Sequence, residues 1–296
     1  MSLLPDPPAQ PSPEAALSFA GVAEQYDRAR PTYPAEAAEW MTGRSMATVV
    51  ELGAGTGKFT ERLLDLGHDV LATDPLDEML TRLRLRHPDL RTATAPAEAI
   101  PAATRSVDVV VAAQAFHWFD LDRALPEIAR VLKPEGRVAV VWNERDERIP
   151  WVRKLGRIIG GNDHLADPTD LLIGSKLFGY VEDESFRHWQ PLRRQDLRDL
   201  AMSRSSVAVL DQPAQERLLR QVDELFDEYD RGPDGLLLPY VTRCFRAVVR
   251  PRGHIEEPEH SADLTAAVQA LREAEAARVR DEAAAEEAAA TLIDFR

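Results

Sequence analysis

Short apolar runs alternate with stretches of helical spacing through the first half of the chain. Ala47–Leu52, Val70–Thr73, Arg91–Ala95, Val107–Ala113 and Arg137–Trp142 read as strands. Between them apolar positions recur every three or four residues. That spacing predicts helices over Pro34–Thr42, Lys58–Leu66 closed by Gly67, Asp77–Arg86 ended by Pro88, and Leu121–Leu132 stopped by Lys133-Pro134-Glu135-Gly136. Continuous apolar strands alternating with helices predict an α/β fold, a doubly wound parallel sheet with right-handed crossovers. The rhythm breaks after Trp142. Short helices and Gly/Asp-rich turns fill the chain to about residue 178, followed by a strand over Tyr180–Trp189. Helices over Arg194–Met202 and Pro213–Tyr229 come next, then a last strand over Gly235–Val249, with Pro239 near its start where a missing donor is tolerable.

The two ends differ in character from this middle. Residues 1–14 are Pro-rich and expected to be disordered, and a short helix over Ala16–Arg28 is ended by Pro31 and Pro34. From Ser261 to Ala290 the chain is rich in Ala, Glu and Arg, with only Leu264, Val268, Leu271 and Val279 as apolar anchors. That composition predicts an exposed or partner-packed helix that the fold does not need. The reading is therefore a tail-like 1–14, one domain over 15–250 and an acidic helix or tail over 251–296.

Charge narrows the partners. A formal net charge of −14 with a pI near 5.0 argues against a nucleic-acid surface, which needs clustered Lys and Arg. Small-molecule substrates are favoured. The single cysteine, Cys244, excludes an internal disulfide and fits a reducing compartment as a small buried hydrophobe. No leader pattern and no membrane-length apolar segment is present, so a cytoplasmic protein is expected. The seven histidines are scattered, without metal-ligand spacing.

The informative stretch is Glu51-Leu52-Gly53-Ala54-Gly55-Thr56-Gly57-Lys58, an apolar strand breaking into alternating glycines before a helix. Glycines there permit positive φ and leave no Cβ between backbone and ligand, while the helix start offers free N–H groups. A phosphate-cradling loop would need Gly at Leu52 and Ser or Thr at Phe59, and a dinucleotide fingerprint would need Gly at Lys58. What remains is E-x-G-x-G-x-G, with Asp74 ending the next apolar run 23 positions after Glu51. A carboxylate so placed accepts hydrogen bonds from ribose hydroxyls. Ligands of open α/β sheets sit at strand carboxyl ends, which brings in Gln114 after the fourth long strand.

This pattern resembles motif I and the following acidic position of class I S-adenosylmethionine-dependent methyltransferases. "AQAFHWFD" (113–120), "RVLKPEG" (130–136) and "VVWNERD" (140–146) extend the likeness, over about residues 20–250, to a type-11-like small-molecule subfamily. The resemblance implies a Rossmann-like, mostly parallel seven-stranded sheet with its last strand antiparallel, a helical cap within about 150–235, and S-adenosylmethionine as cofactor. It also implies roles. The Tyr26–Pro34 segment would fold over the cofactor and make Tyr26, Arg30 and Tyr33 candidates. Glu51, Gly53, Ala54, Gly55, Gly57 and Asp74 would hold the nucleoside and methionine parts. In the segment after Asp74, which includes Pro75, Met79 would rest on the adenine face. Ala97 and Glu98 would meet the adenine edge, in a loop where Pro96 replaces the acid of many relatives. Gln114 would face the methionine part, and Trp118 and the tyrosines could face the sulfonium.

For the chemistry itself, His117 and Arg30 are the candidates in an acceptor pocket beneath the cap, His117 as a base and Arg30 as the holder of a carboxylate acceptor. The expected reaction is methyl transfer to a small molecule, with oxygen favoured over nitrogen or carbon. An NAD(P)-dependent oxidoreductase and a non-catalytic cofactor-binding scaffold stand as alternatives. A homodimer is compatible with the sequence, and no nucleic-acid or membrane partner is expected.

Overall fold

The structure is a computed structural model, and it describes residues 30–251 apart from 162–167, 205–206, 208, 230–231 and 233–234. Tyr26, the helix expected over Ala16–Arg28 and the Ala/Glu/Arg-rich tail lie outside the described residues.

The apolar runs become β1 (Thr48–Leu52), β2 (Asp69–Asp74), β3 (Arg91–Thr94), β4 (Val107–Ala113) and β5 (Leu132–Arg145). All neighbouring pairs among them are parallel. α1 (Ala35–Thr42), α2 (Thr60–Asp65), α3 (Asp77–Arg86) and α4 (Leu121–Val131) alternate with these strands. β5 is longer than Arg137–Trp142 because Leu132 already pairs with Val107. The Lys133–Gly136 stretch then bulges out, with Glu135 at φ 65°, before Arg137 pairs with Val109.

Beyond β5 come α5 (Pro150–Ile159), α6 (Pro168–Gly174), β6 (Phe178–Leu192), α7 (Arg194–Met202), α8 (Gln212–Tyr229) and β7 (Leu236–Val249). β7 runs antiparallel to both β5 and β6, giving a seven-stranded sheet of order β3-β2-β1-β4-β5-β7-β6. α7 starts where the acid at its third position folds back, the Arg193 N–H donating to the Asp196 carboxylate at 2.9 Å.

Both faces of the central strands are buried, which is why their sequences read as unbroken apolar runs. On one face Val110, Ala112, Val138 and Val140 pack with Phe116, Ile128 and Phe178. On the other, Val109, Val111, Ala139 and Val141 pack with α1, α2 and Tyr33. Each fully buried Val or Leu contributes about 1.5–3 kcal/mol. A third cluster joins α5, α7 and α8 to Leu192, Leu238 and Tyr240 at the end of the β6–β7 ribbon. No described helix is long and apolar enough to cross a membrane.

Cys244 lies in β7 with no exposure, and burial pushes its thiol up to about 12, with the Glu184 charge adding to the shift. The thiolate is the reactive form. Ellman's reagent should therefore leave the folded protein unmodified at pH 8 and titrate one thiol in guanidinium, and rapid labelling of the native protein would show that β7 opens.

Candidate active site

Strand order reverses between β1 and β4, so the loops leaving them part and open a crevice at the carboxyl ends of the sheet. The loop after β1 carries Gly53, Gly55 and Gly57 at φ 70°, 54° and 95°. A Cβ on Gly53 would sit 2.5 Å from the Ala115 Cβ, whereas one on Gly55 would meet nothing within 4 Å. Gly53 lets the two loops touch, and Gly55 presents bare backbone to open space.

Asp74, at the tip of β2, closes this loop from the side. One carboxylate oxygen accepts the Gly55 N–H at 2.8 Å and the other accepts the Leu76 N–H at 2.9 Å. Burial pushes its pKa up and the two amide bonds pull it down. A carboxylate offers about four acceptor sites, so capacity for two ligand hydroxyls remains.

Glu51 is the unusual member. It is 1 % exposed, lines the crevice, and its carboxylate accepts the Thr60 hydroxyl at 2.6 Å. Burial pushes its pKa to about 8, against the Thr60 bond and with a further push from the Asp74 charge. A buried carboxyl in this state favours a ligand that brings a positive charge to it.

Across the crevice, Gln114 stands at φ 56°, a conformation that costs a non-glycine residue about 1 kcal/mol and is held here by the surroundings. Its amide N–H donates to the Asn143 carbonyl at 3.1 Å and its backbone N–H to Val141 at 2.9 Å. Asn143 also lines the crevice, and its Nδ2 donates to the Thr32 carbonyl at 3.2 Å. That bond ties down the strap Arg30–Tyr33, whose Arg30, Pro31 and Tyr33 line the remaining side. The Tyr33 ring meets the Phe59 ring edge-on at 5.0 Å. Arg30 reaches past the crevice to donate to the Ser203 carbonyl at the end of α7, at 3.3 Å.

A glycine loop, a tip carboxylate and a second, cation-seeking carboxylate suit a cationic nucleoside better than a dinucleotide. The sequence profile of the family described as a methyltransferase domain matches residues 50–140, the stretch that builds this crevice. The chain is 43 % identical over 237 residues to an uncharacterised methyltransferase of Mycobacterium tuberculosis, covering 79 % of this chain and 96 % of that one. The chain belongs to the methyltransferase family. An uncharacterised methyltransferase-like protein of Schizosaccharomyces pombe is 35 % identical over 76 % of this chain and 93 % of its own. A solved structure from Anaeromyxobacter dehalogenans, provisionally assigned as a type II methyltransferase, superposes with a TM-score of 0.52 at 25 % identity, covering 76 % and 99 % of the two chains. Family membership sets aside the oxidoreductase and scaffold alternatives. The structure of this methyltransferase also has the Rossmann-like sheet with its antiparallel last strand.

The crevice gathers Arg30, Tyr33, Glu51, Gly53, Ala54, Gly55 and Gln114 from the expected residues. Asp74 abuts it through Gly55. Gly57 turns inward, where a Cβ would lie 2.3 Å from Leu83. Pro75 is exposed and Met79 is buried in the first turn of α3. Ala97 belongs to the core cluster beside α4, and the Glu98 carboxylate accepts the Asp120 N–H at 2.7 Å, at the start of that helix. His117 and Trp118 lie on the 3-10 turn Phe116–Trp118, half-buried, with rings 5.0 Å apart, and neither lines the crevice. Sequence reasoning passed over Asn143. The strand-end rule that selected Gln114 applies equally to Asn143, near the carboxyl end of the next strand in the sheet.

Proposed function

We propose that this methyltransferase uses S-adenosylmethionine to methylate a small-molecule acceptor, with oxygen as the favoured atom. The observation that carries the reading is the buried Glu51 carboxyl beside the open Gly55 backbone, since a ligand with an ammonium group answers both. When bound, the cofactor supplies a methyl group activated on a sulfonium. Gly53–Gly55 would support the nucleoside, Asp74 the ribose hydroxyls, Glu51 the ammonium, and Gln114 would border the methionine part. Tyr33 and the strap exclude water from that side. The acceptor would enter between the strap and the helices α5, α7 and α8, the cap in this reading. Arg30, which lines the crevice, is the favoured acceptor-side residue, with His117 on the turn after β4 as the candidate base.

Calorimetric titration tests the cofactor part. Asp74→Ala should weaken binding of S-adenosylmethionine by about 2–3 kcal/mol, the scale of losing hydrogen bonds to a charged group. Equal affinity in the variant would remove Asp74 from the site. Release of S-adenosylhomocysteine on addition of acceptor extracts tests the transfer itself.

A further inference from the structure

Asn143 joins two walls of the cofactor crevice. Its main-chain carbonyl, near the end of β5, accepts the Gln114 side-chain amide at 3.1 Å, and its own side-chain amide donates to the Thr32 carbonyl of the strap at 3.2 Å. Gln114 is held from a second point, since its backbone N–H donates to Val141 on the same strand at 2.9 Å. Gln114 and Asn143 line the crevice together with Arg30, Pro31 and Tyr33 of the strap. The β4 side and the strap are thus pinned to neighbouring positions of β5.

The Asn143 amide has an orientation that suits both its neighbours. A peptide carbonyl only accepts, so the amide nitrogen faces Thr32 and the amide oxygen faces the other way. There it accepts the Thr242 hydroxyl at 2.6 Å, from the residue directly paired with Asn143 on β7. That hydroxyl has a single hydrogen, spent on Asn143. Towards His188 Nδ1, 3.2 Å away, it is therefore an acceptor, and the ring carries its hydrogen on Nδ1. The His188 ring is steadied in turn by stacking on Tyr240, its partner in the β6–β7 pairing, with centroids 5.4 Å apart and planes at 16°.

The donors run one way, from His188 on β6 through Thr242 on β7 and Asn143 on β5 to the Thr32 carbonyl. Hydrogen bonds arranged head to tail polarise and strengthen one another. The groups up to Asn143 stand on paired strands, which position a side chain more firmly than a loop does. Thr32 stands on the strap and is exposed. Opening the strap breaks the last bond of the chain and leaves the ones behind it in place.

We infer that Asn143 is a positioning residue of this methyltransferase, a latch that holds the strap shut over bound cofactor, and that the Thr242 hydroxyl sets its amide for that task. The inference rests on the S-adenosylmethionine reading above and adds what governs release. The latch slows the departure of S-adenosylhomocysteine, the form the cofactor takes after giving up its methyl, and product release limits turnover in many enzymes.

The test is the dissociation rate of S-adenosylhomocysteine from the immobilised full chain, read by surface plasmon resonance beside the melting temperature of the empty protein. Asn143→Asp keeps the acceptor for Thr242 and turns a carboxylate oxygen towards the Thr32 carbonyl in place of the donor. Dissociation should become about tenfold faster, the scale of one lost hydrogen bond with some repulsion added. Thr242→Val removes only the hydroxyl, at a position with no exposure and so out of reach of a ligand. It should speed dissociation by about threefold, and Thr242→Ser, which restores the hydroxyl, should return the wild-type rate. A purely structural role would lower the melting temperatures and leave the rates in place. A wild-type rate in Asn143→Asp would overturn the latch, and a wild-type rate in Thr242→Val, or equal rates in Thr242→Val and Thr242→Ser, would overturn the part given to the hydroxyl. Failure of the wild type to bind S-adenosylhomocysteine would instead overturn the cofactor reading on which both rest.

Discussion

Binding of S-adenosylmethionine should release close to one proton at pH 7, and Glu51→Gln should abolish that release. In the free protein burial holds the Glu51 carboxyl near pKa 8, so at neutral pH it is mostly protonated. An ammonium group placed beside it favours the carboxylate and expels the proton. Affinity should therefore rise by about tenfold per pH unit between roughly pH 6 and 8 and level off above, the slope that linkage assigns to one released proton. Calorimetry at pH 7 in two buffers of different ionisation enthalpy reads the proton count directly, and a count of zero would mean that Glu51 does not meet a cation.

The same group predicts an opposite effect on the empty protein. Its folded-state pKa lies above the ordinary 4.5, so the folded state keeps a proton that the unfolded chain has already lost. That contribution is fully present below about pH 4.5 and is lost as pH rises through 8. Gln keeps the acceptor for Thr60 and cannot ionise. Glu51→Gln should thus melt several degrees above the wild type at pH 8 without ligand, while binding the cofactor about 1.5–3 kcal/mol more weakly. A variant that melts lower at pH 8 would show that the carboxylate is stabilised in the empty site.

Gly53→Ala should cost both stability and binding. The added methyl would lie 2.5 Å from the Ala115 Cβ, and both carbons are fixed to backbone, so one loop must move. Its φ of 70° adds strain of about 1 kcal/mol for any L side chain. Overpacking of this kind costs typically 1–3 kcal/mol more. Together these predict a melting temperature lower by roughly 5–15 °C for a domain of this size. Cofactor affinity should fall at least tenfold, because the displaced loop is the crevice wall. Gly55→Ala is the informative partner. Its Cβ meets nothing within 4 Å, so the melting temperature should fall by only a few degrees while affinity drops as the methyl enters the crevice. Equal melting losses in the two variants would show that strain, and not contact between the β1 and β4 loops, explains the glycine at 53.

Much of the frame was legible because it rests on local rules. The strands at 48–52, 69–74 and 107–113 carry consecutive apolar residues, Val49-Val50, Val70-Leu71-Ala72 and Val109-Val110-Val111-Ala112, and strands buried on two faces have that need. The helix over Asp77–Arg86 is bounded by an acidic first turn and a following proline, so its ends were set by neighbours in the sequence. The alternating glycines and Asp74 were equally readable, since the restriction on Cβ and the carboxylate at a strand tip belong to single positions. Sequence by itself thus determined the central sheet, the place where it opens and the family.

Tertiary structure decided what depends on residues far apart in the chain. The Asn143 link to Thr32 spans 111 positions and the Arg30 link to Ser203 spans 173, and no periodicity encodes such pairs. Glu51 was legible as the acid that opens the glycine motif, but only burial by its neighbours raises its pKa. His117 follows β4 in the sequence, but where its ring stands relative to the crevice is set by the turn at Phe116–Trp118 and the packing around it. Register and helix packing are set by the sum of many contacts across the fold, so such pairs meet only once the chain has folded.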